Sequence, residues 1–159
     1  MCQRKVDFPL KCLRDNLNRK IRVIIADDKD RYLNHWRAVF DTDVFELTFG
    51  FDANEILDAF EGDPKQFDVL ISDISMHTRN EKGFLGNMRG EFAGVGLSMK
   101  LRKMGFTGDI ALVSTGIDDF IGQILCHFIM GFFGVDWLVP KRTLVKHNPK
   151  FLRRRLFWM

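Results

Sequence analysis

The chain has 159 residues, 46% hydrophobic and 28% charged, the size and balance of one globular domain with a sizeable core. No apolar run is long enough to span a bilayer, the N-terminal MCQRKVDF lacks the apolar centre of a signal peptide, and three scattered cysteines (Cys2, Cys12, Cys126) make no disulfide framework, so a reduced, cytoplasmic protein without a membrane partner is expected. Of 24 basic and 21 acidic groups, residues 1–20 hold six and two and residues 141–159 hold seven and none, leaving 11 and 19 between two basic ends.

Residues 8–19, FPLKCLRDNLNR, spell a short helix: Asp7 can cap it, Pro9 suits its first turn, and Leu10, Leu13 and Leu17 line one face. Residues 1–20 are thus expected as a helical extension ahead of a main domain at 21–159. IRVIIADD is a continuous β-branched run ending in acids, the mark of a buried strand. RYLNHWRAVF follows, with Leu33, Trp36 and Phe40 at helical spacing. VFELTF predicts a second strand, and ANEILDAFEG a second helix stopped by Gly62. FDVLIS predicts the third strand. After a long polar loop, GLSMKLRKMG predicts a third helix stopped by Gly105. DIALVS predicts the fourth strand, DDFIGQILCHFIMGFF (118–133) a further helix, and VDWLV the fifth strand. NPKFLRRRLFWM closes the chain as a last helix, with Pro149 near its start.

Short apolar strands alternating with helices call for an α/β fold with a parallel sheet covered on both faces. In such sheets the site lies at the carboxyl ends of the strands. There the chain places Asp27 and Asp28 after strand one, Asp73 after strand three, Ser114 and Thr115 after strand four, and Lys141 near the end of strand five. Three carboxylates in one cleft repel one another and need a counter-charge. A hard divalent cation such as Mg²⁺ suits an all-oxygen set. A lysine opposite can neutralise them or bind the oxygens of a transferred phosphoryl group. His35, His77, His147 and the adjacent Cys126–His127 match no zinc spacing, and no P-loop or dinucleotide-binding glycine motif is present. The basic ends would suit nucleic acid, but solvated helix faces are the plainer reading, and nucleic acid is not expected as a partner.

The pieces VIIADD, FDVLISDISM, GVGLSMKLRKMGFTGDIALVS and GVDWLVPK, in this order and spacing, resemble the response-regulator (CheY-like) receiver domain of two-component signalling, over roughly residues 21–158. The resemblance implies a doubly wound five-stranded parallel sheet, a flavodoxin-like three-layer sandwich. It implies that Asp73 is the phospho-acceptor and that Asp27, Asp28, Asp73 and the backbone carbonyl of Ser75 hold Mg²⁺. Lys141 would pair with the phosphoryl oxygens. Ser114 is the favoured phosphoryl-contacting hydroxyl, with Thr115 as the alternative. The donor would be a histidine kinase or histidine phosphotransfer protein, and the phosphorylated form would switch binding to a downstream effector. The only reactions expected are the chain's own aspartyl phosphorylation and dephosphorylation, not enzymatic turnover of a separate substrate.

The sequence also departs from the family. Its glycine after the acceptor is best matched by Gly94, with Val95, Leu97, Leu101 and Arg102 in the following places, so a long loop occupies about residues 77–93, roughly a dozen residues more than usual. His77 and Arg142 replace prolines, and the switch aromatic three before the lysine is Leu138, with Trp137 beside it. In 118–133, Phe120, Ile121, Ile124, Leu125, Phe128, Ile129, Phe132 and Phe133 form a wide apolar stripe, mostly core, whose excess offers a homodimer surface. Two other readings stay open: a receiver-like interaction module that does not switch, and a Mg²⁺-dependent phosphatase-like enzyme, which would want a second acid where Ser75 sits.

Overall fold

A computed structural model of the chain describes residues 19–40, 43–76, 92–115 and 132–141. Among the described residues, eight elements follow one another: β1 (Ile21–Ala26), α1 (Asp30–Val39), β2 (Phe45–Gly50), α2 (Ala53–Glu61), β3 (Val69–Asp73), α3 (Ala93–Lys103), β4 (Asp109–Ser114) and β5 (Trp137–Pro140). The five strands form one parallel sheet in the order β2-β1-β3-β4-β5. The order reverses between β1 and β3, which opens a crevice at their carboxyl ends.

Continuous apolar strands are stable here because both faces are covered. Alternate side chains sort into two clusters. Val23, Ile25, Val69, Ile71, Ala111 and Val113 meet Trp36 of α1 and Phe40, its C-cap. Ile24, Ala26, Leu70, Ile110 and Leu112 meet Ile56, Leu57 and Phe60 of α2 and Val95, Leu97 and Leu101 of α3. Phe60 anchors the second cluster, with the rings of Phe67 and Phe106 at 5.0 and 5.1 Å. Its truncation to alanine would cost about 3–5 kcal/mol.

Helix boundaries follow from local chemistry. Asp52 caps α2, its carboxylate accepting from the N–H groups of Asn54 and Glu55 at 2.8 and 2.9 Å, while Glu55 reaches back to the Phe51 N–H at 2.7 Å. Gly62 ends α2 but keeps φ −76°, in the right-handed region. The stop comes instead from Pro64, which disfavours helix at Asp63. Gly105 ends α3 in the left-handed region, at φ 92°. That helix begins at Ala93, three residues before the predicted start. Gly94 and Gly96 are poor helix formers, yet 93–98 is buried throughout, and packing overrides propensity.

The amino-terminal edge of the sheet is tied by two polar hubs. Asp68 takes both Arg19 guanidinium nitrogens at 2.6 and 2.7 Å and the Arg22 N–H at 2.9 Å, while its carbonyl accepts from Asp109 N–H at 3.0 Å. Burial opposes its ionisation, but these hydrogen bonds and the two arginine charges outweigh that and hold its carboxyl below the usual range. Arg102 donates to the carbonyls of Gly134, Phe106 and Gly108 and to the Asp136 carboxylate, at 2.6–2.9 Å. Asp136 also accepts the Ile110 N–H at 2.8 Å.

Arg19, the one described residue of the predicted N-terminal helix, lies in a bend leading into β1. The rest of that helix, most of the 77–93 loop with His77, Arg142 and the closing helix lie outside the described residues. So does 118–133 except its end, where Phe132 is 73% exposed and Phe133 packs on the α2/α3 cluster. Among the described residues, no helix is long and apolar enough to cross a membrane.

Candidate functional site at the carboxyl edge of the sheet

Ala26 of β1 stands beside Ser72 of β3. The next residues, Asp27 just past β1 and Asp73 the last of β3, therefore come side by side. On the far side Ser114 ends β4 opposite Pro140, the last residue of β5, and Lys141 follows. Asp27, Asp73 and Lys141 are 1, 4 and 2% exposed. Charges so deeply placed are stable only when paired, and these pair with one another. The Lys141 Nζ lies 3.2 Å from Asp27 Oδ2 and also contacts Asp73 Oδ2.

The two carboxylates are held alike. Asp27 Oδ1 accepts from the Lys29 N–H at 3.2 Å, and Asp73 Oδ1 from the Ser75 N–H at 3.3 Å. Each is a turn closed by a backbone donor two residues on, leaving Oδ2 to the lysine. The backbone at Asp73 is fixed too: Ser72 Oγ donates to the Asp73 carbonyl at 3.0 Å, and Ile74 N–H to the Val113 carbonyl at 2.9 Å. Burial, and then the neighbouring Asp73, push the Asp27 carboxyl above its usual range, and Lys141 and the Lys29 N–H offset this only in part.

Asp28 is half-buried at the rim. Asp27, Asp28 and Asp73 each offer an oxygen within 4.8 Å of the others. Such a set of hard oxygen donors fits Mg²⁺, which binds through one or two carboxylates and keeps several waters. Ser75 is exposed, Ser114 half-buried and Thr115 exposed. Trp137 and Leu138 pair with Ala111 and Leu112 on β4 and point to opposite faces: Trp137 packs on the α1 cluster, Leu138 on the other.

Two contacts have no counterpart in the sequence reading. The Lys141 Nζ lies 4.3 Å from the centre of the ring of Tyr32, in the first turn of α1. The other is the fit of α3 against the end of β3: the Gly94 N–H donates to the Ile74 carbonyl at 2.9 Å.

No protein-family model matches the chain, and no curated protein matches it. Solved structures do. The response-regulator receiver domain protein (CheY-like) of Methanospirillum hungatei is 18% identical, with 87% of this chain and 91% of that one covered at a TM-score of 0.60. The chemotaxis response regulator CheY4 of Vibrio cholerae is 18% identical, covering 87% and 97% at a TM-score of 0.62. The BeF3-activated DrrB receiver domain is 15% identical, covering 87% and 95% at 0.60. The chain therefore has the fold of response-regulator receiver domains, as the resemblance implied.

Proposed function

We propose that this chain is a receiver which takes a phosphoryl group on Asp73 from the phosphohistidine of a histidine kinase or histidine phosphotransfer protein, with Mg²⁺, and thereby switches binding to an effector. The observation that carries the reading is the convergence of Asp27, Asp28, Asp73 and Lys141 at one sheet edge. A structural role alone would need no third carboxylate beside a lysine already paired twice.

Asp73 is the nucleophile. One of its oxygens attacks phosphorus, the P–N bond to the donor imidazole breaks, and the bonding pair leaves with that nitrogen. An acyl phosphate results. Bound Mg²⁺, held by Asp27, Asp28 and Asp73, would supply charge neutralisation between the entering phosphoryl group and the carboxylates. Lys141, already on Asp73, turns its N–H donors to the phosphoryl oxygens, and the Ser114 or Thr115 hydroxyl takes another. Catalysis is thus positioning and charge stabilisation. Hydrolysis by water at phosphorus returns phosphate and the free carboxylate. The change in bonding at Lys141 biases β5 and its surroundings between two arrangements.

The test is acyl-phosphate formation. With Mg²⁺ and acetyl phosphate, intact-mass analysis should show one phosphate adduct, which Asp73→Asn abolishes. No adduct, together with no Mg²⁺ binding, would favour the non-switching interaction module.

A further inference from the structure

We propose that Tyr32 is a positioning residue for Lys141: its ring face, together with the two carboxylates, fixes the ammonium where an entering phosphoryl group meets it. The functional consequence rests on the receiver reading above; the placement itself does not.

A lysine ammonium carries three N–H donors on a flexible stem. Asp27 and Asp73 each take a contact from Lys141, and the Tyr32 ring lies 4.3 Å from the nitrogen. With Lys141 only 2% exposed, little water reaches that ammonium. A ring face is the one apolar surface that attracts a cation, and the attraction grows when water is excluded. The geometry is also economical in chain. Lys29 N–H is bonded to Asp27 Oδ1, and its carbonyl accepts the Tyr32 N–H at 2.9 Å. A six-residue stretch, 27–32, therefore carries a carboxylate and a ring to the same nitrogen, each in a fixed relation to the other. Asp73 holds the ammonium from a different strand. The lysine is oriented before the phosphoryl group arrives, so its freedom need not be removed during transfer.

Four proteins test this: Tyr32→Phe, Tyr32→Leu, Lys141→Ala and the Tyr32→Leu/Lys141→Ala double variant, each checked for cooperative melting. The first readout is the NMR shift of the Lys141 ε-methylene protons. Ring-current displacement should persist in Tyr32→Phe and vanish in Tyr32→Leu. The second is the rate of acyl-phosphate formation from acetyl phosphate with Mg²⁺. Tyr32→Phe should stay within about twofold of the parent, and Tyr32→Leu should be roughly three- to tenfold slower, the size of a cation–π contact. In the Lys141→Ala background the leucine substitution should cost nothing further. Unchanged Lys141 shifts in Tyr32→Leu, or equal losses with and without Lys141, would overturn the proposal. If the parent forms no acyl phosphate, the receiver reading falls alone, and the Lys141 shifts still decide for or against the placement.

Discussion

Gly94 packs so tightly on Asp73 that a Cβ on it would lie 2.1 Å from the Asp73 carbonyl oxygen. The obstructing atoms are backbone, so no rotamer change relieves the clash. Gly94→Ala should therefore push α3 off β3 and lose about 1–3 kcal/mol, only partly offset by alanine's better helix propensity. Gly62, with nothing within 4 Å of its Cβ position, is the control. Gly62→Ala should be neutral or stabilising by up to about 1 kcal/mol. Urea denaturation of the two variants distinguishes them, and acyl-phosphate formation should fall only in the first.

Removing the lysine tests the buried ion cluster. Lys141→Met leaves Asp27 and Asp73 buried without their cation, a loss of about 3–5 kcal/mol when one partner of a buried pair is deleted. An excess of Mg²⁺ should then raise the melting temperature of the variant more than that of the parent, because the same carboxylates lack any other counter-charge. Equal Mg²⁺ effects in calorimetry would argue against a shared site.

Acid–base behaviour at the opposite edge has a defined sign. Burial, followed by the neighbouring Asp136 charge, raises Asp109 to about 6, with partial relief from Arg102. Its unfolded value is ~3.9. The folded protein therefore holds this proton more tightly, and the group's stabilising contribution is complete below ~4 and lost as pH rises through about 6. Asp109→Asn cannot ionise. Its stability relative to the parent should climb between pH 4 and 7 and then level off, as read from urea midpoints across pH. The opposite-signed contribution of Asp68 is common to both proteins and cancels.

Capping of α2 predicts a smaller effect. Asp52→Ala removes the acceptor for two backbone N–H groups and should cost about 1 kcal/mol, whereas Asp52→Ser should recover most of it. Thermal melting of the pair is sufficient.

Much of this architecture could be read from residues. DIALVS predicted β4 residue for residue, because a central strand buried on both faces is an unbroken apolar run bounded by turns. Asp27, Asp28, Asp73 and Lys141 could be placed together because alternating strands and helices send every strand's carboxyl end to one edge. The start of α3 was legible only through the resemblance, which puts the helix-opening glycine at Gly94, next to the observed start at Ala93; residue pattern alone began the helix at Gly96, because glycines are poor helix formers. The Asp52–Glu55 cap has its signature in DANE, a capping acid three residues before a glutamate. Tyr32 on Lys141 and Arg102 on Asp136 join residues remote in sequence, and neither pair leaves a local trace.

Arg102 gives β5 a particular mechanical character. Among the described residues that strand lies at the edge of the sheet beside β4 alone, and its approach is gripped at Gly134 and Asp136 by one planar guanidinium. Its other tip carries Lys141. Such a strand resembles a beam clamped at one end: a tug on the ammonium bends the last residues and leaves the root in register. Displacement is concentrated at the tip, beside Ser114 and Pro140, and the hub at Arg102 is the fixed ground against which it is measured.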